Sequence, residues 1–266
     1  MLVTIIIPVH KTISYFKECV NSVKNQSYKE IEIIIACNGD LSLQECKSFL
    51  NINDPRIRFI KTEDGRHNAR NEALKFANGE YIQYLDYDDL LYQDKISKQI
   101  KILKEYSEKD VISICQWKKF KNNIDSDYKF PFKHLFQKPL ISFFELMASM
   151  GRNGGFIATA AWLVPKSLIQ NFKWIEVPND DAVFFSELFP KNPLVIVVDS
   201  TLVGYRMHES NTSNIKNTKQ LDLLIKGWSI IHKNINHSKS KDINHYLLRA
   251  YILLLSHSKE LNFYKY

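Results

Sequence analysis

The chain has 266 residues, 45% hydrophobic and 12% aromatic, a globular composition that excludes a disordered or fibrous protein. Its net charge is +7, and residues 215–266 carry nine Lys/Arg against three acids, so the rest of the chain is nearly neutral. A basic tail suits a nucleic acid, an anionic membrane surface or an acidic acceptor, or is a solvated helical face.

Residues 3–9 (VTIIIPV) are a continuous β-branched run, the composition of a strand covered on both faces, with Pro8 expected to stop its pairing. Phe16, Cys19, Val20 and Val23 recur at helical spacing and predict a helix over 14–25. A second buried strand is expected over 31–37, ended by the turn residues Asn38, Gly39 and Asp40. A short helix over 44–50, a strand over 57–61 and a helix marked by Ala69, Ala73, Phe76 and Ala77 follow, the last stopped at Asn78-Gly79. Residues 81–85 form a fourth strand that runs into Asp86-Tyr87-Asp88-Asp89. Another helix carries Ile96, Ile100 and Leu103, and residues 111–117 form another strand.

Beyond Phe120 the pattern loosens. Residues 121–139 are expected as loops and 151–155 as a flexible glycine-rich turn on the acceptor side. Strands are expected over 158–164 and 194–199, with a helix over 181–188 between them. Two amphipathic helices close the chain, marked by Leu221, Leu224, Ile225 and Trp228, then by Ile243, Leu247, Ala250, Tyr251 and Leu254. The four cysteines form no C-x-x-C pair and read as reduced, partly buried thiols. No basic region with a long apolar core opens the chain, and no stretch reaches the roughly 18 apolar residues of a membrane span, so a cytoplasmic location is expected.

Strand–helix alternation with short connections implies βαβ units and a mostly parallel sheet, in which ligands bind outside the carboxyl ends of the strands. Three such ends are polar: Val9-His10, Asn38 to Asp40, and Asp86 to Asp89. Carboxylates crowded at such an end repel one another unless a cation compensates, and Mg²⁺ or Mn²⁺ does so through one or two carboxylates plus substrate phosphates. Asp89 is expected instead to cap the helix that follows.

Six segments in order, VTIIIPVH, EIIIACNGD, GRHNARNEAL, NGEYIQYLDYDD, PNDDAVFF and YRMHESNTS, resemble family 2 of the inverting glycosyltransferases with the GT-A fold, over residues 2–213. The resemblance implies a nucleotide-sugar donor, most simply a UDP-sugar, with Mn²⁺ or Mg²⁺ held by Asp86, Asp88 and His208. It implies donor contacts from Pro8, Val9, Asn38, Asp40, Arg66, Arg70, Asp86, Arg206 and Ser213. Asp181 becomes the general base, with Asp180 orienting the acceptor. The sequence departs from the pattern at Cys37-Asn38, where two acids are frequent, and at His10, where Tyr is usual.

The implied acceptor is a hydroxyl of a glycan or lipid-linked glycan of a bacterial capsule, lipopolysaccharide or related polysaccharide. Residues 1–120 then form the nucleotide-sugar half, 121–214 the acceptor half and 215–266 a basic tail that rests on an anionic membrane. No nucleic-acid partner is expected. Two other readings stay open here: a nucleotidyltransferase, for which the loop after the first strand lacks glycines, and a nucleic-acid or membrane-binding module, which leaves the aspartates unused.

Overall fold

The computed structural model describes residues 1–106, 110–121, 129–208, 215–236 and 238–260. Its first half is β1 (Val3–Val9), α1 (Ser14–Lys24), β2 (Ile31–Cys37), α2 (Leu43–Leu50), β3 (Ile57–Lys61), α3 (Arg66–Phe76) and β4 (Tyr81–Tyr84). The second half follows with β5 (Leu90–Leu91), α4 (Lys95–Leu103), β6 (Ile112–Phe120), β7 (Leu140–Ser142), α5 (Phe143–Asn153), β8 (Trp162–Pro165), α6 (Lys166–Ile169), α7 (Asp180–Ser186), β9 (Leu194–Arg206), α8 (Thr218–Ile235) and α9 (Lys241–Glu260).

One sheet runs β3-β2-β1-β4-β8-β6-β9-β5, with β7 also on β9. Pairing is parallel throughout the first half, and the antiparallel pairs all involve strands of the second half. Every residue of β1 is buried, as an apolar run between two neighbours requires. Pro8 does not end β1: pairing with β2 continues through Pro8 to Val9, while pairing with β4 stops at Ile6. The chain goes from β1 outward to β2 and β3, then returns to the other side of β1 as β4. The crevice that opens past Ile6 is therefore the topological switch point of the sheet.

Other expectations are corrected by packing. Residues 151–153 are not a flexible turn but the last turn of α5, which starts on a capping box in which Ser142 and Glu145 bond each other's backbone N–H. Gly151 lies where α9 crosses: a Cβ there would sit 1.9 Å from the Asp242 carbonyl oxygen. Strand β9 runs past Asp199 to Arg206 because register shifts beside Gln116 absorb the polar residues, and Gln116 bonds both Asp199 and Thr201. Asp89 does not cap α4, whose N-cap is Asp94; it is buried and accepts the Arg206 N–H at 2.9 Å.

All four cysteines are buried free thiols. The last two helices pack on the core through Leu221, Leu224, Ile231, Ile235, Ile243, Leu247 and Ala250. On its outer side α9 exposes Leu248, Tyr251, Ile252 and Leu255. Among the described residues no helix is long and apolar enough to cross a membrane.

Candidate active site

A cavity of about 740 Å³ lies over the switch point. Pro8 and His10 reach it from the end of β1, Asn38 from the end of β2, and Asp86, Tyr87, Asp88 and Asp89 from the turn after β4. Arg66 enters from the first turn of α3, Asp180 and Asp181 from the first turn of α7, and His208 from the end of β9. These strand ends converge because β1, β2 and β4 are parallel neighbours, so their carboxyl ends share one edge.

Arg70, itself buried, joins two of these carboxylates that are distant in sequence. Its Nη1 donates to Asp180 at 2.7 Å and its Nη2 to Asp86, while the guanidinium stacks 4.2 Å from the Trp174 ring. Arg66 grips Asp180 from the other side with two parallel bonds of 2.8 and 2.9 Å. Burial opposes ionisation of Asp86, but the Arg70 and Arg66 charges hold its carboxyl below the usual range.

The neighbouring acids go the other way. Burial and then the Asp86 charge raise Asp88, although His208 Nε2 lies 2.7 Å from its Oδ2. Burial, then Asp88 and Asp86, push Asp89 well above the ordinary carboxylate range. Asp86 and Asp88 thus form a crowded pair whose repulsion a divalent cation would relieve. Among the described residues no three His, Cys, Asp or Glu side chains gather as a metal cage. The donor set Asp88 and His208, with Asp86 beside it, nevertheless fits an ion that takes its remaining ligands from phosphate oxygens and water.

Asp181 stands apart from this network. It accepts the Ala182 N–H at 2.7 Å and the Thr159 hydroxyl at 3.4 Å. Burial first, and then the Asp180 charge, push its carboxyl up to about 6. Asp180 is 7% exposed and clamped by two arginines, so the two adjacent acids are chemically unlike.

Several expected donor residues lie elsewhere. Arg70 and Arg206 are 1% and 3% exposed and do not line the cavity. The Arg206 guanidinium bonds Glu18 at 2.6 Å and the Asp88 carbonyl at 2.8 Å, between the rings of Tyr15 and Phe120. It braces the aspartate turn. Val9 is buried and contributes its carbonyl, which accepts from Asn38 N and Nδ2. Asp40 is exposed and outside the cavity, and Ser213 lies outside the described residues. Sequence reasoning missed Glu18, Thr159, Met147, Met150 and Tyr246. The capping box at Ser142 was a legible signal for the helix that carries the two methionines; the others follow no motif.

The family described as Glycosyl transferase family 2 matches residues 4–172. An uncharacterized glycosyltransferase of Rickettsia typhi is 31% identical over 219 residues, covering 80% of this chain and 66% of the relative. Glycosyltransferase GlyA of Streptococcus pneumoniae is 27% identical over 239 residues, covering 85% of this chain and 34% of that protein. The chain therefore spans 66% and 34% of the lengths of these relatives. Among solved structures, S. aureus TarS in complex with UDP-GlcNAc matches with a TM-score of 0.74 at 16% identity, over 98% of this chain and 74% of that one. The mannosyltransferase PcManGT of Pyrobaculum calidifontis, in complex with GDP-Man and Mn²⁺, matches with a TM-score of 0.60 at 15% identity, over 97% and 75%. At these identities the likeness is one of fold.

Proposed function

The chain belongs to glycosyl transferase family 2, and on that premise we propose that it moves a hexose or N-acetylhexosamine from a UDP-sugar to a glycan hydroxyl with inversion. The observation that carries this reading is a single cavity lined both by the Asp86–Asp88 pair and by a separate carboxylate, Asp181, with a pKa of about 6. On this reading most donor contacts come from residues 1–120 and acceptor contacts from 121–214, with α8 and α9 packed beside them.

Asp181 takes the proton from the acceptor hydroxyl as its oxygen attacks the anomeric carbon and the bond to the nucleotide's phosphate oxygen breaks on the opposite face. A value near 6 leaves the base largely ionised at neutral pH yet still basic enough to accept the proton. Thr159 and the Ala182 N–H aim it. Asp180 is held by Arg66 and Arg70 and so ties α7 to α3. Mn²⁺ or Mg²⁺, held by Asp88 and His208 beside Asp86, would supply positive charge to the leaving diphosphate.

Asn38 supports a uracil base: its Nδ2 is bonded to the Val9 carbonyl, which leaves its Oδ1 as an acceptor for an imide N–H. The apolar stripe on the outer side of α9, within a basic tail, supports attachment to an anionic bilayer.

Thermal melting with UDP-, GDP-, CMP- and dTDP-sugars, with and without Mn²⁺, tests the donor assignment. Only UDP-sugars with metal should stabilise, by about 2.7 kcal/mol at a hundredfold excess over Kd. Asp88→Ala should abolish the shift, and no shift with any nucleotide would refute the reading. The anomeric configuration of the product, read by NMR, tests inversion.

A further inference from the structure

The cavity over the switch point changes sign along its length. The carboxylates that line it come from the turn after β4 and the first turn of α7. Among the described residues, β6, α5, α8, α9 and residues 154–159 add no acid to its wall. Instead β6 contributes Lys119, and α9 contributes Arg249 and His257. Of the nine Lys/Arg in residues 215–266, Arg249 alone among the described residues lines the cavity, so the charge of the tail as a whole does not account for this end.

Arg249 and Lys119 flank one short segment. Arg249 Nε and Nη2 donate to the Gly151 and Arg152 carbonyls at 3.0 and 2.9 Å, where α5 ends. These bonds hold the guanidinium at two points and leave Nη1 with no acceptor among the described residues. A Cβ on Gly154 would lie 3.5 Å from that nitrogen. Further along the segment, Lys119 Nζ lies 5.6 Å from the centre of the Phe156 ring. It is partly buried and makes no hydrogen bond or ion pair among the described residues. Asp242, on the same helix as Arg249, is paired with Arg152 instead.

A neutral ligand would leave both cations without a counter-ion. An anion gains charge-assisted hydrogen bonds from them, and a guanidinium already fixed in place loses little freedom on binding. Tyr246 links this end to the candidate base. It lines the cavity one turn before Arg249 on α9, and burial, then the Asp181 charge, raise its hydroxyl. A molecule whose hydroxyl lies at Asp181 therefore passes Tyr246 and meets Arg249 next.

Resting on the transferase reading, we infer that the acceptor carries an anionic group, a carboxylate or a phosphate, which Lys119 and Arg249 bind while its hydroxyl lies at Asp181.

Methyl β-D-glucopyranoside, methyl β-D-glucuronide and methyl β-D-glucopyranoside 6-phosphate share one ring and differ in the group at its sixth carbon. Calorimetric titration of each into the full chain, with UDP and Mn²⁺ already added to fill the donor side, tests this. At low ionic strength the charged analogues should bind about 10–100-fold more tightly than the neutral one. Added salt should reduce the difference. Lys119→Met, which breaks no hydrogen bond, and Arg249→Gln should each weaken the preference, and the double variant should abolish it. Arg152→Gln, at an ion-paired neighbour outside the cavity, should leave it intact. Tighter binding of the glucuronide would identify an acidic sugar, and of the 6-phosphate a phosphorylated one. Equal affinities for all three, or a preference that survives the double variant, would overturn the inference. Thermal stabilisation by UDP with Mn²⁺, measured on the same samples, separates the two readings. If it persists while the anions gain nothing, the anionic-acceptor inference fails alone. If it is absent, the transferase reading fails and the inference with it.

Discussion

Arg70 Nη1 lies 2.7 Å from Asp180 Oδ2, in a pair whose side chains are 1% and 7% exposed. The same guanidinium holds Asp86, so one cation on α3 ties the aspartate turn of the donor side to the helix that carries the candidate base. Two carboxylates and two arginines neutralise one another there, which is how acids this close to the core stay charged.

Arg70→Met should therefore damage both stability and catalysis. It leaves Asp86 without its guanidinium and Asp180 with Arg66 alone, and removing one partner of a buried pair costs about 3–5 kcal/mol. Arg70→Lys should recover part of the stability but not the bridge, because an ammonium lacks the planar fork that spans two carboxylates. Chemical denaturation and initial rates of both variants check this, and a wild-type midpoint for Arg70→Met would contradict it.

Asp181 should set the acid limb of the pH–rate profile. Its folded value of about 6 means that kcat/KM falls as pH drops through 6 and the base becomes protonated. Asp181→Asn should lose about 10²–10⁴-fold in rate. The stability effect has the opposite sign. A carboxyl raised from 3.8 to about 6 in the folded state gives stability that is present below pH 3.8 and lost as pH rises through 6. The asparagine variant should thus be nearly inactive yet more heat-resistant than wild type at pH 7–8, by on the order of 1–2 kcal/mol.

Lys95 is fully buried, bonded to Gln83, and burial lowers its ammonium to about 8. The folded state therefore holds fewer protons than the unfolded state between pH 8 and 10.5, and this residue's contribution to stability rises across that window. Lys95→Met should flatten the rise. The difference in Tm between wild type and variant, followed from pH 7 to 10, isolates it from the tyrosines that titrate in the same range; a constant difference would contradict it.

Gly151→Ala should loosen the crossing of α5 and α9. The added methyl would lie 1.9 Å from a backbone carbonyl, which no side-chain rotation can relieve. A loss of about 1–3 kcal/mol is expected, with earlier proteolysis in α9 than in wild type; unchanged stability would mean that the helices meet elsewhere.

The strands of the first half were legible because buried parallel strands are continuous apolar runs: β1, β2 and β3 have the bounds their composition predicts. The second half was less so. The end of α5 carries Gly151, which reads as part of a turn, and only the backbone of α9 against it explains why a glycine stands inside the helix there. The polar stretch from Asp199 to Thr201 reads as the end of a strand, yet Gln116 on the neighbouring strand takes up both side chains and lets β9 continue.

The site divides in the same way. Residue types and their order placed acids at strand ends and pointed to the family, because parallel topology brings successive carboxyl ends to one edge. Asp180 and Asp181, by contrast, are neighbours of identical type, and nothing local distinguishes them. They are separated by Arg70, 110 positions away from Asp180, and by Arg66, which together neutralise one carboxylate and leave the other to burial and its neighbour's charge. The charge state of a buried acid depends on which groups surround it in space, and only the folded chain brings those groups together.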